Sequence, residues 1–335
     1  MPIGLFRRCD GVFMKERKVY LSLARVICAI VVVIIHTNDC FYEFNIDRCW
    51  ALANVIESGL CFAVPVFIMV SGATLMDYSK RYSTKEYFRK RVVKTVIPYL
   101  VWSVIGNVLD VSGIFFVYYF FLNLFGVYLC IPLFSFIKEE YKEKVITYVV
   151  AISFVFNYFF PFLCSVTRIN YVFKIPLDLA NGFLIYALVG YLIHKKDISF
   201  KWRLLSYVCS LIGFALHIGG TYLYSIEAGA IDSTFRGYTN LPCVLASVGV
   251  FVFIKQIGQK ITHEKLVRTV EKLSSYTFPI YLIHFYVIEL IMEVILADYV
   301  HLWIYKLTTP FITIMISVGI AWVIRKIPVV QKILP

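Results

Sequence analysis

The sequence predicts an all-α fold, a polytopic membrane helix bundle of about ten transmembrane helices with both termini in the cytoplasm. Three observations predict it. Hydrophobic residues make up 60% of the 335 residues and charged residues 16%, against about 45–50% and about 25% in soluble domains. Mean hydropathy is +0.77, and the apolar residues fall in runs of about 20, the length that spans a bilayer. Lysine and arginine are divided unevenly between the two sides these runs define. With the N-terminus inside, 27 of the 33 lie in cytoplasmic segments. Only Arg48, Arg168, Lys174, Arg236 and Lys306 lie outside, and Arg25 lies within the first span. A soluble or disordered chain is excluded by the apolar content. The net charge of +12 does not mark a nucleic-acid binder, because the basic residues form short clusters between apolar runs rather than one basic face.

The spans are expected near 19–37, 51–76, 92–110, 113–137, 145–163, 179–194, 203–225, 241–257, 274–296 and 304–324. The polar, basic opening has no apolar core of a signal peptide. It leaves residues 1–18 as a cytoplasmic segment, 19–326 as one transmembrane domain and 327–335 as a cytoplasmic tail. The loops are too short for a second folded domain, so any chemistry must come from side chains of the bundle. Prolines within or at the ends of spans (Pro65, Pro98, Pro132, Pro279, Pro310) each free a carbonyl one turn earlier.

In the first span Arg25 and His36 are eleven residues apart, about three turns, and so share one face about 16 Å apart. A cation in hydrocarbon faces the bundle or a wet cavity, or snorkels to the headgroups. His36 is either a functional group on that face or an interfacial histidine. In the second span Pro65, Ser71 and Gly72 suit close helix approach or backbone exposure. A basic cluster follows. Most of its charges signal topology and attract anionic lipids, but Arg91, Lys94 and Pro98 are spaced i, i+3, i+7 on one face, where two cations can meet a phosphate-bearing ligand. In the ninth span His284 lies near mid-depth with Tyr281 one turn before it, and Glu289 and Glu293 form an i, i+4 pair. These ionisable groups mark a polar cavity or a structural Tyr–His network. His217, in the seventh span, is a weaker candidate. Cys28, Cys61, Cys130, Cys209 and Cys243 sit in apolar runs without metal-ligand spacing, so no metal is expected. No phosphate-binding glycine loop, zinc-protease motif or nucleophile elbow is present.

These residues resemble the motifs of acyltransferase family 3, the bacterial integral-membrane O-acyltransferases. The family's first helix carries Arg and His with ten residues between, like Arg25 and His36 in LARVICAIVVVIIH. Its second helix is similar to VPVFIMVSG. Its cytoplasmic motif resembles Phe88, Arg91, Lys94, Pro98 and Tyr99, and its late motif resembles Ile280, Tyr281, Leu282 and His284. The stretch from Leu52 to Leu75 is similar to enterobacterial common-antigen acetylases. The chain departs from the family at Ser22, Val26 and Ala73, and VYYFFL (Val117–Leu122) replaces a His-Leu-Trp-like element.

The resemblance implies transfer of an acetyl or other short acyl group from cytoplasmic acetyl-CoA (acyl-CoA), used as donor substrate rather than as a resident cofactor. The acceptor would be a hydroxyl of a cell-envelope carbohydrate or lipid-linked sugar. It implies residence in the bacterial cytoplasmic membrane among membrane lipids, with no nucleic-acid partner and with the bundle itself acting on the final acceptor. Arg91 and Lys94 are expected to hold the CoA phosphates. Arg25 would stabilise the thioester carbonyl or position the pantetheine end, and His36 would act as general base or as nucleophile through an acetyl-histidine. The rival expectation is a secondary transporter or flippase using Arg25, His36, His284 and Glu289 as an ion or substrate path.

Overall fold

A computed structural model of the chain describes residues 18–111, 113–169, 180, 182–292 and 303–327. Every regular element among them is helical. The helices are α1 (Val19–His36), α2 (Arg48–Gly59), α3 (Ala63–Leu75), α4 (Thr84–Arg91), α5 (Ile97–Val108), α6 (Ile114–Ser135) and α7 (Glu139–Ser153). They continue with α8 (Phe160–Thr167), α9 (Leu184–Lys195), α10 (Phe200–Ala215), α11 (Thr221–Ala228), α12 (Leu241–Gln259), α13 (Glu264–Val287) and α14 (Trp303–Arg325). Among the described residues, seven helical stretches are long and apolar enough to cross a membrane, and α9 is a shorter apolar helix.

The expected spans differ from these helices where the ladder of backbone hydrogen bonds is interrupted. The 51–76 span is two helices, α2 and α3, divided by a turn at residues 60–62. Three others are rods of two α-helices joined by a π turn: Val92–Val96 links α4 to α5, Phe154–Phe159 links α7 to α8, and Leu216–Gly220 links α10 to α11. Two of these turns lie just before a proline, Pro98 and Pro161, whose ring collides with the carbonyl four residues back and whose nitrogen cannot donate to it. Widening the ladder by one residue accommodates both defects. The ninth span begins ten residues before its expected start, at Glu264, because α13 extends as a charged, exposed helix before it enters the bundle.

The other prolines show where helices lock together. Pro65 frees the carbonyl of Cys61, and the Cys243 thiol on α12 donates to it at 3.5 Å. Pro132 frees that of Tyr128, which accepts from the Tyr87 hydroxyl at 2.9 Å. Pro279 frees that of Ser275, which accepts from Nη2 of Arg325 at 2.7 Å. An unpaired carbonyl in an apolar medium is expensive, so each proline creates a socket that a neighbouring element fills.

Helix α1 packs against α3, α12 and α13. Gly72 and Gly190 bring α3 and α9 together: a methyl group on Gly72 would overlap the Ala187 carbonyl, and one on Gly190 would overlap the Met69 backbone. At the basic end of the bundle, Asp77 accepts from Lys142 at 3.0 Å and pairs with Lys195 at 2.8 Å, joining α7 and α9 to the end of α3. Lys255 donates to the carbonyls of Ile193 at 2.7 Å and Lys196 at 2.6 Å, closing the C-terminus of α9.

Candidate functional site

Helix α1 stops at His36 because the next residue turns back on it. The Thr37 hydroxyl donates to the carbonyls of Val33 and Ile34, both at 3.1 Å, and the Asn38 amide then anchors the chain to the Ala53 carbonyl at 2.9 Å. His36 therefore sits at a fixed helix end, opposite α13. Its ring centroid is 5.3 Å from that of His284 and 6.1 Å from that of Phe285. His284 is 0% exposed. Its Nδ1 lies 3.0 Å from the Ile280 carbonyl, which can only accept, so in the neutral ring the proton is on Nδ1. Nε2 then carries a lone pair, and it has no protein partner.

Helix α13 is held in register by tyrosines. Tyr281 donates to the Val117 carbonyl at 2.8 Å, and Tyr118 donates back to that of Leu282 at 2.8 Å. Tyr286 adds a bond to the Trp102 carbonyl. Tyr118 and Phe120 belong to the aromatic run VYYFFL (Val117–Leu122) on α6.

Two cavities lie along α1. The smaller, about 440 Å³, is at the basic end and is lined by Arg25, Arg91, Lys94 and Arg325, with hydroxyls from Ser71, Thr74, Thr95, Ser274, Ser275 and Thr277. Among the described residues that line it there is no carboxylate. The Arg91 guanidinium lies 5.5 Å over the Tyr128 ring, and its buried Nε has no partner. The larger cavity, about 770 Å³, lies beyond and is lined by His36, Asp39, Glu57, His217, Arg236 and several aromatics. There Arg236 pairs with Glu57 at 3.3 Å and covers the Phe41 ring at 4.8 Å. Asp39 lies in a short 3-10 turn after α1. Burial, with the Glu289 and Glu43 carboxylates adding to it, pushes its carboxyl up to about 6. Phe120 and Tyr281 line both cavities, with ring centroids 5.2 Å apart, so a single aromatic layer divides them.

The structure thus brings His36, Tyr281 and His284 together, and brings Arg25, Arg91 and Lys94 together on the other side of the wall. Lys94 reaches the cavity from a π turn rather than a regular helical face. Ser71 lines the small cavity, with its hydroxyl donating to the Phe67 carbonyl at 3.2 Å, whereas Gly72, Pro65 and Pro98 serve packing and backbone geometry. Glu289 lies against Gly113 and Phe285 beside the large cavity, and Glu293 lies outside the described residues. Sequence reasoning overlooked Arg325, Glu57, Asp39 and Arg236 as cavity residues. Glu57 was findable, being an isolated acid inside an apolar run. Arg325 was not, because it appears in the sequence as one more charge at a helix end.

The family model described as "Acyltransferase domain" matches residues 18–326. No curated protein matches the chain, and no solved structure does. The match spans nearly all of the bundle, including both cavities and the wall between them, and the chain therefore belongs to acyltransferase family 3 as a multi-pass membrane acyltransferase.

Proposed function

We propose that the protein transfers a short acyl group, acetyl in the simplest case, from cytoplasmic acyl-CoA to a hydroxyl of a cell-envelope carbohydrate or lipid-linked sugar. The observation that carries this reading is the pair of cavities along α1, with Arg25 in one, His36 in the other and Phe120 and Tyr281 lining both. A membrane acyltransferase whose donor and acceptor are on opposite sides needs such a through-route.

The small cavity, at the basic end and hence on the cytoplasmic side of a bacterial plasma membrane, suits the donor. Among its described lining residues there are cations and hydroxyls but no carboxylate, and the unpartnered Arg91 Nε is a buried donor in want of an acceptor. Phosphate oxygens supply that acceptor, and arginine grips them with two parallel hydrogen bonds. The thioester then points along α1 toward the aromatic wall, where Arg25 can stabilise charge developing on its carbonyl oxygen. The large cavity suits a neutral polyol. Its arginine is already neutralised by Glu57, while its aromatic rings and acids offer stacking faces and hydrogen-bond acceptors.

In the transfer, His36 takes the proton of the acceptor hydroxyl as the oxygen attacks the acyl carbon. The carbon–sulfur bond breaks, and the proton taken by His36 is returned to the departing sulfur, releasing the carrier as its thiol and leaving His36 neutral. His284 is a positioning residue in this scheme. Its Nδ1–H is committed to Ile280, which leaves its Nε2 as an acceptor in the neighbourhood of His36.

The test is acetyl transfer from labelled acetyl-CoA in membrane vesicles, with donor binding and protein amount measured on the same samples. His36→Ala is expected to insert normally and bind donor while transfer falls by about 10²–10⁴, the usual contribution of a general base. Wild-type transfer by this variant would remove His36 from the mechanism.

A further inference from the structure

Three residues far apart in sequence meet in the wall of the large cavity. Cys61 lies in the turn between α2 and α3, His217 in the π turn between α10 and α11, and Cys243 in the first turn of α12. Both sulfurs and a ring nitrogen lie within 4.8 Å of one another, and all three residues are buried. His217 is 2% exposed, and neither of its ring nitrogens has a hydrogen-bond partner. A buried imidazole with both nitrogens unsatisfied is exceptional, since one of them carries a proton with no acceptor and the other a lone pair with no donor.

We propose that Cys61, His217 and Cys243 bind a thiophilic divalent cation of the zinc type. Two thiolates and an imidazole are a donor set that zinc takes up readily. Zinc–sulfur bonds of about 2.3 Å and zinc–nitrogen bonds of about 2.0–2.1 Å, at tetrahedral angles, set donor separations of about 3.5–3.8 Å. The three side chains reach these by closing about 1 Å, within the range of small side-chain rotations. On binding, each thiol gives up its proton and both sulfurs bond the cation together with one ring nitrogen; nothing is oxidised or reduced. The charges cancel, two thiolates against one dication, so the complex has no net charge to desolvate. Cys243 exchanges its thiol hydrogen bond to the Cys61 carbonyl for a metal bond. Cys61 and His217 also line the large cavity, which leaves one side of the site open to a water ligand. Because the donors come from three separate parts of the bundle, the ion would pin α3, the α10–α11 rod and α12 to each other. The site needs neither acyl donor nor acceptor to form.

The experiment uses the full chain in detergent, reduced, loaded with Zn²⁺ and dialysed, with retained metal counted by mass spectrometry. One ion per chain is expected for the wild type and for Cys209→Ser, a cysteine outside the cluster, and none for Cys61→Ser or Cys243→Ser. Substituting Co²⁺ in the wild type should give a strong near-ultraviolet sulfur-to-cobalt band and the intense visible bands of a tetrahedral site, with two protons released per ion. This spectrum decides the matter even where the serine variants do not fold. Reduced wild-type protein that retains no zinc, cobalt bound without the sulfur band, or zinc retained by both serine variants would each overturn the proposal. So would a Cys61–Cys243 disulfide that persists in the protein as isolated from membranes.

Discussion

The two cavities are built from similar helices and differ in how their charges are neutralised. In the small cavity Arg25, Arg91, Lys94 and Arg325 line the space, with no carboxylate among the described lining residues. In the large one Arg236 is held by Glu57, and the remaining acid, Asp39, keeps its proton to about pH 6. Desolvating a cation is costly, and the buried Arg91 Nε has no hydrogen-bond partner, so an anion entering this pocket would be favoured. A pocket whose charges are already paired or protonated has no such demand and selects by shape and hydrogen bonding. Under the proposed function, such a contrast would let one bundle hold a polyanionic donor and an uncharged acceptor in separate cavities without either invading the other's site.

The largest expected effect that would break this contrast is at Arg91. Arg91→Ala should weaken binding of acetyl-CoA by roughly 10- to 150-fold, the value of a charge-assisted contact of about 1.5–3 kcal/mol. Lys80→Ala should leave binding unchanged, since Lys80 is engaged with Glu139 at 2.7 Å outside the cavity. Equal effects at both positions in a donor-binding titration would reduce the cavity cations to topology signals.

A smaller effect is expected at the wall. Tyr281→Phe removes the hydroxyl bond to the Val117 carbonyl and should lower stability by about 0.5–1.5 kcal/mol. Donor affinity should stay unchanged, because the ring that separates the cavities remains. Thermal melts in detergent paired with the donor titration check both halves. A loss of affinity without a loss of stability would make the hydroxyl a ligand group rather than a strut.

A further effect concerns pH. The Asp39 carboxyl has its proton affinity raised in the folded protein, from an ordinary value of 3.8 to about 6. Its neutral form is therefore the one the fold prefers. The stability associated with it is complete below about pH 4 and is lost as pH rises through about 6, as the folded protein is forced to bury a carboxylate. Asp39→Asn should be insensitive to this, so the variant should gain on the wild type across that interval and keep the gain above it. Melting curves of both proteins across that range measure the difference. Parallel curves would mean that Asp39 titrates as an exposed acid and that the large cavity is not low in net charge.

Much of the site was legible one element at a time. Arg25 and His36 were readable because both sit on one helix whose period relates them, and Tyr281 and His284 for the same reason on α13. The i, i+3 spacing of Arg91 and Lys94 reads as one helical face that could meet a phosphate-bearing ligand; both line the small cavity, and a π turn rather than a regular helix delivers Lys94. What stayed hidden were pairings across helices. Glu57 with Arg236, Arg325 at the Ser275 carbonyl, and the Cys61–His217–Cys243 cluster each join residues from different helices or turns, at least 26 positions apart in sequence. Lys142, Lys195 and Lys255 were counted only as cytoplasmic charge, yet each holds a helix end in place.

By itself the sequence determined the solvent, the class of fold and the family. Hydropathy and charge asymmetry are sums over local composition, and the motifs lie within single helices. Only the tertiary structure decided that two separate cavities exist, that Phe120 and Tyr281 form the wall between them, and that His36 has His284 for a neighbour. The physical reason is that in hydrocarbon a helix satisfies its own backbone and leaves its side chains to find partners on other helices. The identity of those partners depends on helix rotation and packing, which no periodicity along one chain segment encodes.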